Sequence, residues 1–170
     1  MAHPSEQLVT VFGGSGFIGR HVVRALAKRG YRVRVAVRRP DLANFLQPLG
    51  NVGQIHAVQA NLRYPDSVAR AVKGADAVVN LVGILAEKGR QRFDTVQASG
   101  AKAIADAAAR EGITRFVQMS AIGADAESAS AYARSKAAGE EAVKIAIKDA
   151  IILRPSIVFG PEDDFFNRFA

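Results

Sequence analysis

The segment Val9–His21 reads VTVFGGSGFIGRH, an apolar strand-like run followed by Gly13, Gly14, Gly16 and Gly19 and then by basic side chains. Glycine weakens regular structure, so a cluster of this density needs a backbone reason. Two spacings are satisfied together: G-x-G-x-x-G at Gly14, Gly16 and Gly19, and G-x-x-G-x-x-G at Gly13, Gly16 and Gly19. Both describe a turn that grips a diphosphate. The first glycines allow a sharp strand-to-helix turn, Gly16 lets the backbone approach a pyrophosphate, and Gly19 admits close helix–strand packing. The backbone around Ser15, Phe17 and Ile18 would complete the grip, because the first N–H groups of a helix lack intrahelical partners. The bland alternative is a glycine turn that serves packing alone.

About twenty residues further on, a site for NAD(H) usually places a carboxylate against the ribose 2′-hydroxyl. Here the second strand-like run closes as VAVRRP, with Arg38 and Arg39 and no carboxylate before Asp41. Two guanidinium groups suit a 2′-phosphate through charge-assisted forks, which favours NADP(H), with NAD(H) as the alternative. The formal net charge is +7, and residues 1–85 carry all of it. Arg20, Arg24 and Lys28 recur every four residues. That spacing fits a solvated helix face. It equally fits an anion site, either a nucleotide phosphate or an acidic membrane surface. Nucleic acid is not expected, since no aromatic stacking pattern accompanies the charge.

These residues need elements to hold them, and the chain supplies an alternating series. QLVTVF, YRVRVAVR, QIHAVQA, DAVVNLVG, TRFVQMSA and DAIILRPSIVFG read as strands. Between them, the spacing predicts a helix after the glycine turn, with Ile18, Val22 and Leu26 inward and Gly30 as its stop. A short helix follows at DLANFLQPLG, then one opening at Pro65 and Asp66. A long Ala-rich helix runs from Phe93 to Gly112, with Val96, Gly100, Ile104 and Ala108 on one face, and a last helix spans SAYARSKAAGEEAVKIA. Strands separated by helices predict an α/β fold, a doubly wound parallel (Rossmann) sheet with helices on both faces. The chain has no cysteine. That excludes a disulfide framework, a thiolate metal site and a cysteine nucleophile. His3, His21 and His56 show no ligand spacing, so no metal site is expected. No secretory leader is read at the start, and the longest apolar stretch is about half a bilayer span. A soluble cytoplasmic protein is the expectation.

In that context GGSGFIG, NLVG, YARSK and LRPSIVFGP, in this order, resemble the short-chain dehydrogenase/reductase superfamily in its extended and atypical, epimerase/dehydratase-like branch. MSAIGAD and GPEDDFFNRF are most similar to the group that includes the nucleotide-binding accessory subunit of respiratory complex I and its bacterial relatives. The resemblance implies that Asn61 and Leu62 lie beside the adenine, that Asn80, Val82 and Gly83 line the ribose, and that Arg154, Pro155 and Ile157 stand near the nicotinamide. It also gives the chemistry to Tyr132 and Lys136. A free tyrosine has a pKa near 10, too high for efficient proton transfer at neutral pH. Four residues apart on a helix, the two side chains share one face. An ammonium there would favour the phenolate, and Lys136 would also bond the ribose hydroxyls. Hydride would move to or from the cofactor while Tyr132 exchanged a proton with an unknown small-molecule substrate.

Two departures weaken that assignment. The polar partner at the end of the fifth strand falls on Ser120 only if the strand shifts by one residue; otherwise Ala121 occupies the slot. The helix asparagine of the family aligns with Gln97. Loss of a donor to the substrate can cost two or three orders of magnitude in rate. A non-catalytic accessory role is therefore the second expectation, with a membrane respiratory complex or an anionic membrane surface as partner. Location would then be peripheral to an inner membrane. The resemblance also implies helices that can pair into four-helix interfaces, so a homodimer is one assembly it allows, while the residues leave the oligomeric state open. Residues 1–170 are read as the nucleotide-binding domain, and 155–170 as the start of a substrate region cut short. Phe165, Phe166 and Phe169 would form an apolar patch in need of a partner.

Overall fold

The computed structural model describes residues 3–163 and 167; Phe165, Phe166 and Phe169 lie outside the described residues. Six strands, β1 (Leu8–Phe12), β2 (Arg32–Val37), β3 (Ile55–Gln59), β4 (Ala77–Asn80), β5 (Phe116–Met119) and β6 (Ile151–Leu153), form one sheet in the order β3-β2-β1-β4-β5-β6. Every pairing is parallel. Parallel neighbours need crossovers, and these are α1 (Phe17–Lys28), a 3-10 segment (Pro40–Leu49), α2 (Pro65–Val72), α3 (Gly100–Arg110) and α4 (Ala131–Ala146). This is the doubly wound Rossmann arrangement, and the strand order reverses between β1 and β4.

Both sheet faces are buried, giving two apolar clusters. Val11, Val23, Val35 and Leu46 lie under α1 and the 3-10 segment. Phe12, Val78, Ile104, Phe116 and Val143 lie under α2, α3 and α4. Two neighbouring strands carry a buried amide each. Asn80 and Gln118 sit in register on β4 and β5, both buried, and Asn80 Nδ2 donates to Gln118 Oε1 at 2.8 Å. Pairing removes the cost that either amide would carry alone.

Three local expectations change. The inward stripe of α1 is Gly19, Val23 and Ala27, while Ile18, Val22 and Leu26 are half-buried at its flank. Small side chains win because the helix lies directly on the glycine turn. A Cβ on Gly19 would collide with the Gly13 carbonyl and come within 2.6 Å of Gly14 Cα. The short helix after β2 is 3-10 throughout, and its burial repeats every three residues, with Ala43 and Leu46 inward. The long Ala-rich helix is interrupted: Asp94–Ser99 form a π-helical turn before α3 begins at Gly100. That wide turn carries Gln97 inward. At Gly100 a Cβ would meet Leu62 Cδ1 at 2.6 Å, so this approach requires glycine.

Candidate nucleotide site

A cleft of about 310 Å³ opens above the carboxyl ends of β1 to β4, where the strand order reverses. Its floor is the turn after β1. Gly13 has φ +75°, the left-handed region that glycine tolerates, and its carbonyl accepts from the Gly16 N–H at 3.1 Å. Gly16 caps α1 without a side-chain hydrogen bond, so the first amides of the helix face the cleft mouth without an intrahelical partner. Gly13, Ser15 and Gly16 line the cleft. Gly14 does not. It points into the core, where a Cβ would meet Val35 Cγ1 at 2.8 Å. Gly19 likewise serves packing, and Phe17 and Ile18, in the first turn of α1, do not line the cavity.

The far wall is built by the ends of β2 and β3. Arg38, Asn61 and Leu62 line it, as does Arg63, which sequence reasoning passed over. Arg63 N–H donates to Asn61 Oδ1 at 3.2 Å, and its guanidinium donates to the Arg90 carbonyl at 3.1 Å. The Asn61 side chain is therefore engaged in a local turn. Arg39 is directed elsewhere: its Nε and Nη2 donate to the Asp41 carboxylate at 3.1 and 2.8 Å. Both partners are exposed, so the pair is weak and solvent-screened.

The near wall is the turn after β4. Val82 and Gly83 line the cleft with Leu81 and Ile84, and Gln91, Thr95 and Val96 close it from the segment before α3. Asn80 is held inside the sheet, where its Oδ1 accepts from the Val82 N–H at 3.1 Å and fixes the turn. Behind Gly83 stands Lys136. A Cβ on Gly83 would lie 3.2 Å from Lys136 Nζ and 3.8 Å from Gln97 Oε1. Gln97 is buried, and its Nε2 donates to the Ile84 carbonyl at 3.2 Å.

Tyr132 and Lys136 share one face of α4, with Nζ 5.8 Å from the Tyr132 ring centroid, a cation–π distance. Phe93 packs edge-on against the same ring at 5.6 Å. Burial drives the Tyr132 pKa upward, so in the chain alone the phenol, not the phenolate, is favoured. Burial also pulls the Lys136 ammonium down to about 8, with the Glu140 carboxylate opposing that shift. Nζ donates to the Met119 carbonyl at 3.5 Å.

Ser120 is buried at the end of β5, and among the described residues its hydroxyl finds no hydrogen-bond partner. Glu140 is desolvated, yet Arg154 outweighs that cost and holds its carboxyl below the ordinary range. Arg154 forks onto it, with Nε–Oε1 at 2.8 Å and Nη2–Oε2 at 2.7 Å. This group borders a second, open cavity beyond α4. Pro155 accepts from the Ile122 N–H at 2.8 Å, and Ile157 is exposed; neither lines the nucleotide cleft. Among the described residues no cluster of His, Cys, Asp and Glu could hold a metal ion.

A model of the family described as NAD(P)H-binding matches residues 13–162. Ceramide reductase of Caulobacter vibrioides is 39% identical over 163 residues, covering 96% of this chain and 50% of that protein. NADH dehydrogenase (ubiquinone) 1 alpha subcomplex subunit 9, mitochondrial, of Mus musculus is 38% identical over 168 residues, covering 98% of this chain and 44% of that protein. The chain thus spans about half the length of these curated relatives. Among solved structures, UDP-glucuronic acid 4-epimerase of Bacillus cereus in complex with NAD superposes with a TM-score of 0.75 at 21% identity. It covers 92% of this chain and 59% of that one, a likeness of fold.

Proposed function

Because this chain belongs to the NAD(P)H-binding family, we propose that it holds NADP(H) in the cleft above β1–β4 and acts as an oxidoreductase or epimerase on a carbonyl or alcohol. The observation that carries this reading is convergence. Gly13, Ser15 and Gly16, Arg38, and Gly83 with Lys136 behind it meet at one cavity. The cradle fits a dinucleotide diphosphate, since a Cβ at Gly13 would crowd Val82 N at 3.2 Å and narrow the floor. Arg38 would carry the choice of NADP(H) over NAD(H) by pairing with a 2′-phosphate.

When bound, the nicotinamide supplies the hydride. The chain's own residues do the remainder. Tyr132, whose ring packs edge-on against Phe93, would hand a proton to, or take one from, the substrate oxygen. Its pKa, raised by burial, must come down for that work, and the Lys136 ammonium is the cation positioned to lower it. Residues 155–170 would open the substrate region.

A second reading has its own observation. Ala121, at the position where the resemblance calls for a polar partner, offers no hydroxyl, which fits a nucleotide-binding accessory subunit of a respiratory NADH:quinone oxidoreductase, peripheral to its membrane. The deciding experiment combines mass spectrometry of the nucleotide retained on purification, titration with NADPH and NADH, and turnover of the parent against Tyr132→Phe. Loss of turnover in Tyr132→Phe with binding kept supports the enzyme. Tight binding without turnover, with co-purification of a membrane complex, selects the accessory role.

A further inference from the structure

The layer formed by α1 and the 3-10 segment carries a surface that the cleft leaves unused. Its cations are Arg20, Arg24 and Lys28 on α1, followed by Arg29, and the 3-10 segment carries one acid, Asp41. That acid is already engaged by Arg39. On α1, Arg20, Arg24 and Lys28 form one stripe, with Arg24 and Lys28 exposed. The Arg20 guanidinium lies over the Phe45 ring, 5.3 Å from its centroid, and this contact seats the 3-10 segment beside the basic stripe.

The 3-10 period then decides what faces outward. Residues three apart eclipse, so Ala43 and Leu46 are buried while Leu42 and Phe45 form an outer row, 64% and 47% exposed. Val52 stands fully exposed on the next turn. Gln54 ties that turn to the end of α1 by donating to the carbonyls of Ala27 at 2.8 Å and Tyr31 at 2.9 Å. Three outward apolar side chains therefore flank a row of cations with no free acid among them.

We propose that this face docks onto an anionic phospholipid bilayer, with Arg24 and Lys28 at the headgroup phosphates and Leu42, Phe45 and Val52 entering the boundary of the acyl chains. Cations gain from the negative surface potential, and apolar side chains gain from leaving water; the two together make an interfacial contact. The two acids at this face are already engaged, Asp41 by Arg39 and Glu162 by His21, which leaves Arg24 and Lys28 to meet an anionic partner. Aliphatic Leu42 and Val52 suit lipid, whereas nucleic acid would call for stacking aromatics. The proposal goes beyond the nucleotide cleft, and none of these five residues lines it.

The chain contains no tryptophan, so Val52→Trp provides a single fluorescent reporter. The 170-residue chain is sedimented with vesicles of phosphatidylcholine alone and of phosphatidylcholine mixed with phosphatidylglycerol. Association with the mixed vesicles only, and a blue-shifted Val52→Trp emission on them, are expected. Arg24→Gln/Lys28→Gln should weaken partitioning by about fivefold for each cation removed. Leu42→Ser should weaken it while circular dichroism and NADPH titration stay at the parent level. Absence of binding to the mixed vesicles, equal binding to neutral ones, or variants that bind like the parent would overturn the proposal. So would an unshifted emission, or stronger retention by double-stranded RNA than by lipid.

Discussion

Gly83 and Lys136 meet at the end of β4, where a Cβ on the glycine would stand 3.2 Å from the lysine Nζ. That distance is tight for a methyl group beside an ammonium that is already desolvated. Gly83→Ala should therefore displace Nζ and weaken NADPH binding about tenfold, with the melting temperature little changed. Lys136→Met should weaken it at least as much, since a charge-assisted hydrogen bond contributes about 1.5–3 kcal/mol. Fluorescence titration of both variants is the check.

Lys136 also sets a pH dependence. Its ammonium is pulled from the ordinary 10.5 down to about 8, chiefly by burial. Between those values the unfolded chain binds the proton that the folded chain has released, so this residue makes stability rise with pH across the window. Melting temperatures of the parent and Lys136→Met, measured from pH 7 upward, should differ most below about 8, with the variant the more stable. Equal slopes in the two proteins would contradict the burial argument.

The two arginines after β2 should separate in their effect on nucleotide choice. Arg38 lines the cleft, whereas Arg39 is forked onto Asp41. Arg38→Ala is expected to cut the preference for NADPH over NADH by about ten- to a hundredfold, the value of one charge-assisted contact. Arg39→Ala should change it less. Asp41→Ala frees a second guanidinium and should raise the preference.

Arg154 neutralises the buried Glu140, one turn beyond Lys136 on α4. Arg154→Met leaves that carboxylate desolvated and should lower the melting temperature by several degrees, with much of the loss recovered in Glu140→Gln/Arg154→Met. Because the Glu140 carboxyl is depressed, its contribution is present above the ordinary carboxylate pKa and fades as pH falls through the folded value. The parent should lose stability over that acid range, and the double variant should lose less, since Asp41 also titrates below its ordinary value.

Gly19→Ala tests the helix–turn contact. The added methyl would strike the Gly13 carbonyl and the Gly14 backbone, which are not flexible ends. Overpacking of this kind costs about 1–3 kcal/mol. Chemical denaturation should register that loss, together with reduced NADPH affinity as the turn opens.

The order of strands and helices was legible because its signals are local: period two in β2, glycine stops at Gly30, Gly74 and Gly112, and Pro65 at a helix start. The glycine turn was legible for the same reason. What escaped depends on contacts between distant segments. The inward stripe of α1 follows the small residues Gly19 and Ala27, not the large ones, because β1 and its turn lie so close. Arg63 joins the cleft through the path of the loop after β3, which no periodicity describes. Which way Ser120 faces depends on the pleat of β5, and a slip of one residue reverses it. Gln97 is turned inward by a π turn, whose extra residue per turn carries no signature in DTVQAS.

The reversal of strand order between β1 and β4 has a consequence for assembly. One wall of the cleft belongs to residues that precede α2 and the other to residues that follow it, and within the sheet the β1–β4 ladder joins them. Neither half of the polypeptide can form the pocket unaided. Occupancy should therefore protect the whole domain against global unfolding rather than against fraying of one element, and a proteolytic nick within α2 should abolish ligand retention while most helicity survives.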